Sequence, residues 1–199
     1  MSKVEETVAA HYAGAGMHDK IMQRLADAGI PAEAVTAEHL RPVDEFHIGE
    51  AAATAALLDQ LTIGPATRVL DIGSGIGGPA RTMARTYGAR VTGIDLTPDY
   101  VDTARKLTAL LGGEVEFVLG SALDMPFEAG SFDLATLLHV GMNLPDKPRL
   151  FAEVARVLAP GGQLLFVEHV RAGHGRLVRW QERLHEPWRR FAWASCRCS

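Results

Sequence analysis

Arg68 to Ala80 reads RVLDIGSGIGGPA, and the fold turns on how this stretch is read. Val69 to Ile72 is a short apolar run with β-branched residues and one acid, Asp71, and four of the next six residues are glycine. Pro79 follows where a helix would begin, a place that suits it because its missing N–H would go unpaired there in any case. Strand, glycine turn and helix form the grammar of a nucleotide-binding βαβ unit. The glycines let the backbone turn sharply and approach a ligand, and a helix N-terminus offers N–H groups to an anion.

Two ligands compete for this turn. Gly73, Gly75 and Gly78 satisfy G-x-G-x-x-G, the dinucleotide fingerprint, and Asp95 lies near the offset of a ribose-binding acid. The pattern D-x-G-x-G, from Asp71 through Gly73 and Ser74 to Gly75, points instead to S-adenosylmethionine. An acid before the turn suits an ammonium group, the loop amides can serve a carboxylate, and no pyrophosphate has to be held. A glycine turn that holds no ligand is the plain alternative. Asp95, followed by Leu96, closes a second strand over Arg90 to Leu96, where a carboxylate can accept both hydroxyls of a ribose. Two acids at the C-terminal ends of two strands mark the crevice in which open α/β sheets bind ligands.

The rest of the middle alternates regularly. A helix over Pro79 to Tyr87 stops at Gly88, and a second over Pro98 to Leu111 has Thr97 as N-cap and Gly112-Gly113 at its end. Strands follow at Val115 to Leu119 and Phe132 to Leu138. A helix over Lys147 to Leu158 then passes through Pro160-Gly161-Gly162 into a strand over Gln163 to Val170. This alternation implies a parallel sheet with helices on both faces.

From Asp71 to Val170 the chain resembles the class I S-adenosylmethionine-dependent methyltransferases. Ser121 to Ala135 (SALDMPFEAGSFDLA) is similar to the family's third and fourth strand region, and Glu153 to Val170 (EVARVLAPGGQLLFVEHV) to its helix, proline-glycine turn and fifth strand. VDEFHIGE (Val43 to Glu50), GIDLTPDYV (Gly93 to Val101) and HVGMN (His139 to Asn143) resemble the sarcosine/dimethylglycine N-methyltransferase-like branch. The resemblance implies a Rossmann-like α/β fold, S-adenosyl-L-methionine as cofactor and a small methyl acceptor, in the first place an amine. It implies an adenine site at Ser121, Ala122 and Leu123, with Ser121 where the family usually has an aspartate. His139 would lie near the methionine end of the cofactor as a catalytic or a structural residue, with Met142 and Asn143 on the acceptor side. N-terminal helices would cover the cofactor, with Tyr12, Phe46 and His47 as candidates for that cover.

Three segments result: a helical cap over 1–62, the cofactor-binding core over 63–170 and a tail over 171–199. About 29 residues follow the fifth strand, and Leu177, Trp180, Leu184, Trp188 and Phe191 recur at spacings of three and four, which reads as helix interrupted at Pro187. The expectation is therefore five strands in the order 3-2-1-4-5, without the C-terminal strand hairpin usual in the family, and with the tail packed over the open sheet edge. Such a truncation raises the alternative of a cofactor-binding protein without turnover. A membrane-surface role for the tail, with arginines at anionic lipid, is the less favoured reading. An acceptor that is a lipid or another apolar molecule also stays open.

Composition sets outer limits. A chain of 199 residues, 47% of them hydrophobic and 22% charged, suits one globular domain. From Arg171 onward there are seven arginines against Glu182 and Glu186, and the first 170 residues carry a net charge of −9. So negative a body argues against nucleic acid as substrate. His11, His18, His39 and His47 lack a ligand spacing, and the two cysteines, Cys196 and Cys198, sit one residue apart. The expectations are no metal and no structural disulfide. No apolar run is long enough to span a bilayer, and a cytoplasmic location is expected.

Overall fold

The computed structural model describes residues 16–44, 55–144 and 146–170, together with the backbone of strands at 176–183 and 194–196. In chain order the described elements begin with α1 (Met17–Asp27), a 3-10 turn at Ala32–Ala34 and α2 (Ala37–Asp44). They continue with β1 (Arg68–Ile72), α3 (Gly78–Tyr87), β2 (Arg90–Asp95), α4 (Pro98–Leu110), β3 (Glu116–Leu119) and β4 (Phe132–Leu138). A 3-10 turn at Gly141–Asn143, α5 (Lys147–Val157), β5 (Leu158–Val170), β6 (Arg176–Arg183) and β7 (Ala194–Cys196) complete the order.

An apolar run as continuous as Val69-Leu70-Asp71-Ile72 can be satisfied only where both faces of a strand are covered. β1 accordingly lies inside the sheet, paired in parallel with β2 and with β4. β3 adds beyond β2 and β5 beyond β4, both parallel, which gives the expected order β3-β2-β1-β4-β5. One side of the sheet buries Leu70 and Ile72 against Leu150 and Val154 of α5. The other buries Val69 against Met83 of α3 and Val101 of α4. A third cluster joins Ile21 of α1 and Leu40 of α2 to Leu107 of α4 and to Ile76 of the glycine loop. The cap is thus packed directly on the loop that follows β1.

Local signals explain most boundaries. Gly88 closes α3 with φ 66°, and Pro98 lies in the first turn of α4 after Thr97. β5 begins earlier than expected: Leu158 already pairs with Phe132, and Pro160-Gly161-Gly162 is absorbed as a register shift before Leu134 pairs with Gln163. α2 lies within the expected helical cap. Of the expected helical cap over 1–62, residues 1–15 and 45–54 lie outside the described residues, and 55–58 is helical.

The tail departs from the sequence reading. β6 runs antiparallel to β5 from Val170↔Arg176 to Gln163↔Arg183, and β7 pairs antiparallel with β6 at Leu177↔Cys196. Among the described residues the sheet therefore has seven strands, β3-β2-β1-β4-β5-β6-β7. The expected helical tail over 171–199 and the expected loss of the C-terminal strands are both corrected for these residues. The physical reason is the open edge of β5. A strand of 13 residues with one free side leaves a long row of N–H and C=O groups to be paired. Val178 and Trp180, strand formers at alternate positions, lie in the segment that pairs with it. Backbone pairing over eight residues outweighs a three-and-four spacing whose remaining members, Leu184, Trp188 and Phe191, lie outside the described residues.

Deletion of the chain from Arg176 onward should therefore uncover the β5 edge. Light scattering should show concentration-dependent association, and the thermal midpoint should fall. A truncated protein that stays monodisperse with an unchanged midpoint would contradict the pairing.

Candidate functional site

The C-terminal ends of β1, β2 and β4 converge on one cleft of about 500 Å3. This is where a doubly wound sheet offers a crevice. The cleft is lined by Asp71, Gly73, Ser74, Gly75, Asp95, Leu96, Ser121, Ala122 and His139, nine of the residues singled out from the sequence. Leu123 is not among them: it is buried in the core beneath, at 9% exposure. Tyr12, Phe46 and His47 lie outside the described residues. A larger hollow of about 1020 Å3, lined by Glu38, Arg41 and Arg85 among others, lies elsewhere and contains neither the residues Gly73 to Gly75 nor Asp71 and Asp95.

The glycine loop is held from behind. The N–H groups of Gly73 and Ser74 both donate to the carbonyl of Ile94, at 2.8 and 3.1 Å, and the N–H of Gly75 donates to Asp95 Oδ2 at 2.9 Å. The expectation that these amides face a ligand is thus corrected: they are spent on the end of β2. What the loop offers instead is close approach. Gly75 has φ 53°, and a Cβ placed there would meet nothing within 4 Å. The side chain of Ser74 is buried, and its Oγ finds no hydrogen-bond partner among the described residues.

The two acids differ in setting. Asp71 is 2% exposed, and its Oδ1 accepts a hydrogen bond of 2.7 Å from Thr136 Oγ1, its register partner on β4. Asp95 accepts from Gly75 N–H through Oδ2 and from Thr97 N–H through Oδ1 at 2.8 Å. Burial pushes its pKa above the ordinary carboxylate value, and these backbone donors pull it partly back.

On the far wall, His139 sits at the end of β4 with φ 58°, a backbone conformation uncommon outside glycine. Its N–H donates to Val167 O at 2.8 Å, which continues the ladder toward β5 while the side chain lines the cleft. The following 3-10 turn is pinned by Lys147 Nζ, which donates to the carbonyls of Gly141 and Leu144. Ser121 Oγ accepts from Leu123 N–H at 3.0 Å, so the hydroxyl is engaged by its own turn.

Several lining residues were not singled out. Tyr100 stands in the first turn of α4, five residues after Asp95, and that proximity in sequence is a signal that could have found it. Asp44 and Val140 lie within the quoted stretches Val43 to Glu50 and His139 to Asn143, whereas Met17 comes from a distant part of the chain and carries no such signal. Among the described residues no group of His, Cys, Asp or Glu is arranged to hold a metal. None of their helices is long and apolar enough to cross a membrane. Two separated carboxylates, an orphaned hydroxyl and a glycine opening onto an apolar cleft fit a ligand that carries a cation and a diol.

Residues 70–166 match the family described as Methyltransferase domain. The chain is 37% identical over 123 residues to the chloroplastic tocopherol O-methyltransferase of Arabidopsis thaliana, covering 59% of this chain and 35% of that protein. It is 35% identical over 148 residues to the glycine/sarcosine/dimethylglycine N-methyltransferase of Actinopolyspora halophila, covering 65% and 26%. The chain thus spans only about a third or a quarter of these relatives. Among solved structures, phosphoethanolamine N-methyltransferase 2 of Haemonchus contortus in complex with S-adenosyl-L-methionine aligns with a TM-score of 0.59 at 25% identity, covering 77% of this chain and 37% of that one.

Replacement of Thr136 by Val removes the hydroxyl that serves the buried Asp71. The cost should be about 1–3 kcal/mol of stability, the penalty of weakening the satisfaction of a buried carboxylate. Thr136→Ser should recover most of it. Urea unfolding measures both, and equal midpoints for Val and wild type would contradict the role given to this contact.

Proposed function

We propose that this chain, whose residues 70–166 match the family described as Methyltransferase domain, is a class I S-adenosylmethionine-dependent methyltransferase acting on a small-molecule acceptor, in the first place an amine. The observation that carries the proposal is the pair of acids, Asp71 and Asp95, set at the ends of neighbouring strands on either side of a glycine that opens onto the cleft. The cofactor supplies a methyl group already activated on a sulfonium. Asp71 would accept from its ammonium and Asp95 from its ribose hydroxyls. Ser121 and Ala122 would flank the adenine, and Leu96 the ribose side. Ser74 Oγ would gain a partner that it lacks among the described residues.

The protein's remaining task is alignment and the exclusion of water. Proximity and orientation can lower a barrier by about 7–11 kcal/mol. An amine acceptor needs its lone pair free. His139 lines the wall where the acceptor would enter, and it can take the proton or hold the amine in line. The relative from Actinopolyspora halophila, whose name gives glycine, sarcosine and dimethylglycine, supports the amine reading. A second reading, an apolar acceptor, draws support from Met142, 57% exposed beside the cleft, and from the tocopherol enzyme. The alternative of a protein without turnover rested on the missing C-terminal strands, and β6 and β7 remove that motive. A cytoplasmic location belongs to the same proposal, and Cys196 and Cys198, one residue apart, read as incidental thiols that suit a reducing compartment.

Transfer of a labelled methyl group to a panel of amines and phenols tests the activity. His139→Ala should lower turnover at least tenfold while S-adenosylhomocysteine binding stays within a few-fold. Equal turnover with every active acceptor would make His139 structural.

Asp95→Ala should weaken S-adenosylhomocysteine by about tenfold or more, since hydrogen bonds to a charged group are each worth roughly 1.5–3 kcal/mol. The pH dependence has a definite sign. In the free protein a raised pKa means that Asp95 favours folding most at low pH, and this contribution is lost as pH rises through the folded pKa. Donation by the ribose favours the carboxylate and lowers that pKa, so binding releases protons. Affinity should be flat above the free-state pKa of Asp95 and fall as pH drops through it. Titration calorimetry in two buffers of different ionisation heat would read this directly, and affinity that rises on acidification would contradict it.

A further inference from the structure

Arg81 is a charged residue inside a helix, yet it is only 8% exposed. Its guanidinium reaches three elements at once. Nη1 donates to the carbonyl of Ile76 in the glycine loop at 2.8 Å and to Thr108 Oγ1 of α4 at 3.3 Å. Nη2 donates to Asp44 Oδ1, at the last residue of α2, at 2.5 Å. Burial depresses the Arg81 pKa and the Asp44 carboxylate raises it, as for a pair largely removed from water. Such a pair does little for stability compared with apolar packing, and breaking one partner is costly because it strands the other charge. A reason other than stability is therefore worth finding.

The reason lies in what the pair joins. Asp44 and Ile76 both line the cleft, while Arg81 itself does not. α2 reaches the loop closely enough that Gly78 can be nothing larger: a Cβ there would lie 2.6 Å from Asp44 Cβ and closer still to the Asp44 carbonyl oxygen. Gly78, the third glycine of the apparent dinucleotide fingerprint, is thus demanded by the cap and not by a ligand. Ile76 packs in the same cluster as Leu40 of α2 and Ile21 of α1. One guanidinium therefore fixes the position of the cap relative to the loop across 37 residues of sequence.

Resting on the cofactor reading above, we propose that the Asp44–Arg81 pair, seated on Gly78, is a positioning latch. It holds the end of α2 at the rim of the cleft and keeps the Gly75–Ile76 turn in its binding-competent form, without either residue touching the reacting atoms. Arginine is needed because its planar fork can serve three acceptors in fixed directions, which a lysine ammonium on a flexible stem cannot reproduce.

The test measures S-adenosylhomocysteine affinity by calorimetry, together with thermal melting, on the full chain and on Asp44→Asn, Arg81→Gln, the double variant and Arg81→Lys. The latch predicts that each single variant binds at least tenfold more weakly at a temperature well below its melt. The double variant should bind no more weakly than the worse single, and Arg81→Lys should not restore affinity. Gly78→Ala keeps both charges and only displaces Asp44, so it remains informative if the charge variants fold poorly, and it too should weaken binding. Affinity within twofold of wild type in Asp44→Asn and Gly78→Ala, with only the melting temperature lowered, would overturn the latch and leave the cofactor reading standing. A wild-type protein that binds no S-adenosylhomocysteine would overturn both.

Discussion

Three consecutive amides of the glycine loop, those of Gly73, Ser74 and Gly75, are committed to the last two residues of β2. Much of the site depends on this constraint. It ties the turn after β1 to the strand beside it, draws Asp95 to the floor of the cleft, and leaves the open side of Gly75 facing inward. The same constraint explains why Asp95 can be both half-buried and ionisable. Backbone donors from Gly75 and Thr97 compensate part of what desolvation costs. In the proposed function, an acid prepared in this way would add ligand hydroxyls to an existing set of donors, with no loop having to be reorganised first.

The cap adds a second layer. α1 and α2 pack on α4 and on Ile76, and α2 also meets α3 through Asp44 and Arg81. The Met17 N–H donates to Asp99 in the first turn of α4, so the start of α1 is fixed close to the strand end that carries Asp95. Cap, loop and Asp95 are thereby connected through short polar contacts, and a change at one is felt at the others. Binding energy collected at a cofactor can in this way be directed into alignment on the acceptor side.

How legible all this was in the sequence depends on the range of the interaction. β1, β2 and β4, the ends of α3 and α4, and the strand-end acids were readable because apolar runs, Gly88 and the Thr97-Pro98 pair act locally. Gly78 matched a motif for a reason the motif does not contain, since its constraint comes from Asp44, a residue in another helix. Leu123 was assigned to the cleft by analogy, yet alternation along its turn puts it in the core. The tail was misread because its spacing suits a helix, while the force that decides it, the unpaired edge of β5, belongs to another segment of the chain. Arg81 looked like an ordinary helical arginine, and only the fold brings its three acceptors together.

The central claim is that this cleft is built for S-adenosylmethionine and not for a dinucleotide, although the loop satisfies both patterns. Equilibrium titration of the full chain with S-adenosylhomocysteine and with NAD, in parallel, tests it most directly. The account predicts saturable one-to-one binding of S-adenosylhomocysteine, with no binding of NAD at the same concentrations. Binding of NAD in preference to S-adenosylhomocysteine, or of neither, would contradict it.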